Sequence, residues 1–138
     1  MFKKILVAVD GSDSSNQAVW VAAYLARALG ADLCMITAFD PVPAYVGKFA
    51  YEAAINAQRE VAGEVLHKAL KLAGELPGKL DGEVQEGRPA EAILRAAKAR
   101  EVDLIVIGAR GLGTLTGILL GSQSLKVLHH AECPVLVV

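Results

Sequence analysis

The sequence is short of most of the residues that announce a function, and each shortage excludes something. It has two cysteines, Cys34 and Cys133, in neither a C-x-x-C nor a metal-ligand spacing. The expectation is therefore two reduced thiols, acting as small core hydrophobes in a cytoplasmic protein. There is no basic surplus: the formal net charge is −1, which argues against a nucleic-acid binder relying on phosphate contacts. No run is apolar for long enough to span a bilayer. The uncharged stretch from Gly111 to Leu125 comes nearest, but it falls short of about 18 residues and is broken by glycines. Met1–Val9 is not expected to be a signal peptide, because its apolar run stops at Asp10 and no small-residue cleavage site follows. The phosphate-loop pattern G-x-x-x-x-G-K-[ST] does not occur, and nothing assembles a nucleophile, a base and an orienting group.

What is present is apolar and evenly spread. Hydrophobic residues make up 54% of the 138 and charged residues 21%, as in a globular α/β protein rather than a disordered chain. One domain spanning residues 1–138 is the expectation at this length. The stretch after Asp103 organises the rest. Leu104 to Ile107 form an aliphatic run suited to a strand buried on both faces. Gly108, Gly111, Gly113, Gly117 and Gly121 then fall within fourteen residues, and a helical pattern opens at Ser122. Glycines let the backbone approach a ligand closely, and the unpaired N–H groups of a helix start favour an anion.

Periodicity places the other elements. Lys4–Asp10 reads as a strand, followed by a helix capped by Ser12 or Asp13 and closed by Gly30. Its predicted buried stripe is Ala18, Val21, Ala22, Leu25, Ala28 and Leu29. Trp20, Tyr24 and Arg27 fall on the opposite side, and packing under a neighbouring helix or loop is preferred there over a partner surface. Ala31–Phe39 is a second strand. A long helix is predicted from Phe49 to Leu76, ended by Pro77-Gly78, with Ala62, Val65, Leu66, Ala69, Leu72, Ala73 and Leu76 facing inward. A more polar edge strand, Leu80–Glu86, precedes a short helix with Pro89 at or near its first position and Ala90, Ile93, Leu94 and Ala97 inward. Asp103–Gly108, Ser122–Ala131 and Pro134–Val138 supply the fourth strand, the last helix and the fifth strand. Five strands alternating with four helices imply an α/β fold, a doubly wound parallel sheet with helices on both faces.

The spacing Gly108-x2-Gly111-x9-Gly121-Ser122 resembles the nucleotide loop of the ATP-binding branch of the universal stress protein family. The start, K-I-L-V-A-V-D-G-S (Lys4–Ser12), and the end, H-A-E-C-P-V-L-V-V (His130–Val138), share that resemblance. It implies strand order 3-2-1-4-5, which puts a ligand crevice at the carboxyl ends of strands 1 and 4. It also implies that Gly108, Gly111, Gly121 and Ser122 bind ribose and phosphate, with Gln123 and Ser124 alongside. Against this stands the plain alternative that the glycines only permit a tight connection. Asp10 would face the adenine and ribose end, or serve as a turn carboxylate. The adenine pocket would use backbone around Ile36 to Ala38. Arg110 and Lys126 are the nearest cations, Arg110 being equally readable as a solvated loop residue. They only partly offset a triphosphate, so ATP would carry Mg²⁺ or Mn²⁺ on its phosphates. His129 and His130 read as cations at a helix C-terminus, and His67, on the long middle helix, has no partner in sequence.

Three functions compete on these residues. The first is an adenine-nucleotide-binding regulatory protein of the stress-response type, not a dedicated enzyme and at most a slow ATPase. It would be a homodimer through Val135–Val138, an uncharged edge that its own copy would cover. The second is a dimeric interaction module of the same fold that binds no nucleotide. The third, an ATP-cleaving adenylating enzyme, is disfavoured because Asp10-Gly-Ser-Asp-Ser-Ser15 lacks the paired glycines of such enzymes after strand 1.

Overall fold

Five parallel strands form one sheet in the order β3-β2-β1-β4-β5, the order that the resemblance implied. The structure is a computed structural model and describes residues 1–110 and 121–138. The strands are β1 (Lys4–Ala8), β2 (Asp32–Phe39), β3 (Leu80–Glu86), β4 (Leu104–Ile107) and β5 (Val135–Val137). Between them run α1 (Asp13–Leu29), α2 (Lys48–Ala73), α3 (Pro89–Ala99) and α4 (Ser122–His130), with one 3-10 turn at Ala44–Val46. The register sets Leu6 between Cys34 of β2 and Ile105 of β4. Side chains alternate across the sheet, so two cores form. Ile5, Val7, Leu33, Met35 and Val106 pack under α1 and α2. Leu6, Ala8, Cys34, Ile36, Ile105 and Ile107 pack with Ile93 and Val127 of α3 and α4.

Local capping signals act where the sequence carries them. Ser12 is the N-cap of α1, its Oγ accepting the Ser15 N–H at 3.1 Å. Gly30 closes that helix in the left-handed region at φ 65°, and its N–H donates to the Ala26 carbonyl, a conformation that costs a side-chain-bearing residue more.

Two expectations on α1 need correction. Its buried face is Ser15, Ala18, Val19, Ala22, Ala23 and Ala26; Ala28 and Leu29 are exposed, while Val21 and Leu25 are only partly buried. Nine of its seventeen residues are aliphatic or alanine and they lie on more than one side, so the pattern has little contrast and docking chose the face. Trp20 and Tyr24 are not covered by a neighbouring element: they are 58% and 69% exposed. Arg27 has a structural task instead. Its guanidinium donates to the Ala73 and Glu75 carbonyls, which the end of α2 leaves without helical partners.

That contact also shows why α2 stops before Pro77. The helix ends at Ala73, and the Gly74 N–H bonds back to the Lys71 carbonyl. The chain then turns into β3, with the Lys79 N–H donating to Asp32 Oδ1 at 2.8 Å. Ala62, Ala69 and Ala73 are buried on α2, with Val65, Leu66, Leu72 and Leu76 partly buried against the same core, as the periodicity predicts. No helix among the described residues is long and apolar enough to cross a membrane.

Candidate functional site

The carboxyl ends of β1 and β2 open into a cleft of about 640 Å³. Its floor includes Asp10, Thr37 and Phe39, and one wall is α2, through Gln58, Val61 and Val65. Across from that wall lie the starts of two helices, with Arg88 and Pro89 from α3 and Ser122 and Gln123 from α4. A doubly wound sheet leaves such a space because the crossovers diverge to opposite faces beyond the strand ends.

Asp10 is half-buried in a turn that it helps to hold. Its Oδ1 accepts the Ser12 N–H at 2.9 Å, and its own N–H donates to Ser15 Oγ at 3.3 Å. The turn-carboxylate role is therefore present, and the residue lines the cleft as well. Ile36 lies deeper. Its carbonyl accepts the Val9 N–H at 2.9 Å and its side chain is buried among α3 and α4 contacts, so the part of β2 that borders the cleft is residues 37–39.

Gly108 has a reason of its own to be glycine. A Cβ there would sit 2.9 Å from the backbone carbonyl of Ser14 and still closer to its hydroxyl. The start of α1 thus packs directly on the end of β4. Ser14 Oγ accepts the Arg110 N–H at 3.1 Å. Arg110 does not face the main cleft; it borders a second cavity of about 440 Å³ with Ser12, Gln17 and Val138. Gly111, the second glycine of the spacing, lies outside the described residues.

Gly121 differs from Gly108. It is the N-cap of α4 with φ −64° and ψ 156°, and makes no side-chain cap. Its chain neighbours apart, no atom of the described residues lies within 4 Å of a Cβ built on it, although the residue itself is buried. Ser122 follows, exposed at the first position of α4. Gln123 Oε1 accepts the Ala90 N–H at 3.0 Å. Ser124 is fully buried and does not border the cleft; its Oγ, like Thr37 Oγ1, has no hydrogen-bond partner among the described residues. Lys126, His67, His129 and His130 are exposed, the last two in the final turn of α4 as expected. Among the described residues, no three His, Cys, Asp or Glu side chains converge as a metal site.

Two residues of this region and one side chain escaped expectation. Thr37 lies in the Ile36–Ala38 stretch expected to offer its backbone, but its hydroxyl carried no signal in the run L-C-M-I-T-A-F. Arg88 precedes the N1 proline of α3, and its cation borders the cleft, a place no local pattern reveals. Ser14 acquires its role from Arg110, ninety-six residues away.

The cysteines lie elsewhere. Burial pushes the Cys34 thiol up from 9.0 to about 12, with Asp81 and Glu83 adding to the shift and Arg100 opposing it. Burial also raises Cys133, which is only partly buried. Iodoacetamide at pH 8 is expected to label Cys133 in the native protein and Cys34 only after denaturation, because the thiolate is the nucleophile. Because the folded-state value exceeds the unfolded one, stability from this group is complete below pH 9.0 and falls as pH rises towards about 12. Equal labelling of both thiols, read by mass, would contradict this.

Fold and cleft together describe an α/β protein of the doubly wound class. The chain belongs to the universal stress protein family, whose sequence model matches residues 1–138. It is 48% identical to the universal stress protein in the QAH/OAS sulfhydrylase 3′ region of Thermus aquaticus, covering 100% of this chain and 99% of that one. The universal stress protein UspA from Lactobacillus plantarum has the same fold, with a TM-score of 0.84 and 28% identity, covering 99% of this chain and 97% of that one. A universal stress protein in complex with cAMP aligns with a TM-score of 0.67 and 33% identity over 99% of this chain and 96% of its own.

Proposed function

We propose that this protein is a regulatory adenine-nucleotide binder. In this reading ATP occupies the cleft, with its phosphates over the start of α4 and a Mg²⁺ or Mn²⁺ ion carried on them. The observation that carries the reading is Gly121, a buried glycine at the start of α4. That glycine is demanded neither by a positive φ nor by any neighbour among the described residues, whereas a phosphate approaching the first N–H groups of α4 would need it bare. The Thr37 hydroxyl at the floor, with no protein partner among the described residues, fits a polar ligand too, since such groups are normally satisfied. The relative in complex with cAMP adds support for the adenine class. Among the described residues lining this cleft, Arg88 is the cation, with Arg110 bordering the second cavity. One arginine leaves most of a triphosphate's charge uncompensated, which is the reason for the divalent ion.

Calorimetric titration of nucleotide-stripped protein with Mg²⁺-ATP tests the reading. Binding is expected, and Ser122→Ala should weaken it by about 1.5–3 kcal/mol if the hydroxyl donates to a phosphate. Absence of binding at millimolar ATP would sink the proposal, leaving the dimeric interaction module in its place. Hydrolysis should be slow or absent, because among the described residues no positioned base and nucleophile accompany Asp10.

The same proposal includes a homodimer paired through β5. Leu136 is 36% exposed on this edge strand, and Leu125 and Leu128 of α4 are 44% and 39% exposed. A short uncharged edge invites pairing with its copy. Sedimentation at micromolar concentration should give a dimer, and Leu136→Lys should give monomer. An unchanged dimer in that variant would move the interface elsewhere.

A further inference from the structure

We infer that Gln123 is a positioning residue, which locks the start of α3 to the start of α4 and thereby holds Arg88 and Ser122 across one cleft. The inference rests on the nucleotide reading above and assigns Gln123 a task other than touching the ligand. Helix α3 begins poorly capped. Arg88, its N-cap, makes no side-chain cap, and Pro89 follows at the first position without an N–H. The first donor α3 can offer is therefore Ala90, and its N–H is taken at 3.0 Å by Gln123 Oε1, from another helix. Gly121 leaves α4 without a side-chain cap as well.

Deeper down, α3 and α4 share an apolar core built on Ile93, Ala96 and Val127. Apolar contact sets the separation of two helices but is not directional, so it leaves their sliding along one another weakly determined. A hydrogen bond at the helix starts is directional and fixes that offset. The offset matters because Arg88 is two residues before Ala90, and Ser122 one before Gln123. Arg88 has no acidic partner within ion-pair distance among the described residues, so its charge is available to an anion in the cleft.

The arrangement makes Gln123 act through Arg88, and that has a thermodynamic signature. Affinities for ATP and for adenosine are measured on wild type, Arg88→Ala, Gln123→Ala and the double variant. Arg88→Ala is expected to weaken ATP binding about tenfold, the size of one lost charge-assisted hydrogen bond, and to leave adenosine binding unchanged. Gln123→Ala should show the same split, and the double variant should bind ATP no more weakly than either single one. Amide exchange on the unliganded protein gives a second readout: Ala90 should lose protection in Gln123→Ala and keep it in Gln123→Glu, which retains an acceptor oxygen. Additive losses in the double variant, an equal loss for adenosine, or unchanged Ala90 exchange would overturn the inference while the nucleotide reading stands. Wild-type protein that binds neither ATP nor adenosine would overturn both.

Discussion

Truncation of Leu6 to alanine is expected to destabilise the protein by about 2–5 kcal/mol, the range for large-to-small changes in a packed core. Leu6 is 0% exposed and lies on the central strand, between Cys34 and Ile105. Its side chain enters the core shared with α3 and α4. Neighbours on two flanking strands and two helices cannot all close in, so most of the cavity should persist. Trp20→Ala is the control, since a 58% exposed side chain should change stability by about 0.5 kcal/mol or less. Denaturant unfolding of both variants checks the pair. If Trp20→Ala cost as much as Leu6→Ala, the exposed face of α1 would have to be buried in solution.

The second large effect is expected at Gly108. Valine there would press its Cβ to within 2.9 Å of the Ser14 backbone. Overpacking of this kind costs about 1–3 kcal/mol, and more when backbone must yield. The Ser14 hydroxyl, nearer still, could rotate away, but the main chain at the first turn of α1 could not. The start of α1 should therefore shift from β4, breaking the bond from the Arg110 N–H to Ser14 Oγ and disturbing the turn that holds Asp10. Gly121→Ala makes the contrast. Its chain neighbours apart, its Cβ meets no atom of the described residues, so stability should hold while any ligand over the α4 start loses room. Equal melting temperatures for Gly108→Val and wild type would refute the packing account.

Several features of this protein are local, and the sequence alone determined them. The aliphatic runs of β1, β2 and β4 are strands because nothing in them can face water. Ser12 and Gly30 bound α1, and Pro89 opens α3, because caps are satisfied within a few residues. The edge strand Leu80–Glu86 was legible with both its ends. The family resemblance pointed to Asp10, Ser122 and Gln123, and all three border the cleft.

Tertiary structure decided what depends on neighbours distant in the chain. Alanine-rich α1 could bury several of its faces, and only docking on β1 and β4 selected the one with Val19, Ala23 and Ala26. Arg110 sits in the glycine stretch yet borders the second cavity, while Arg88, outside any motif, reaches the cleft because α3 starts beside α4. Gln123 carries no sign in sequence that its acceptor serves Ala90, thirty-three residues earlier. A side chain's partner across the fold is set by how helices settle on the sheet. That packing minimises exposed apolar surface for the chain as a whole, and no short window of residues contains it.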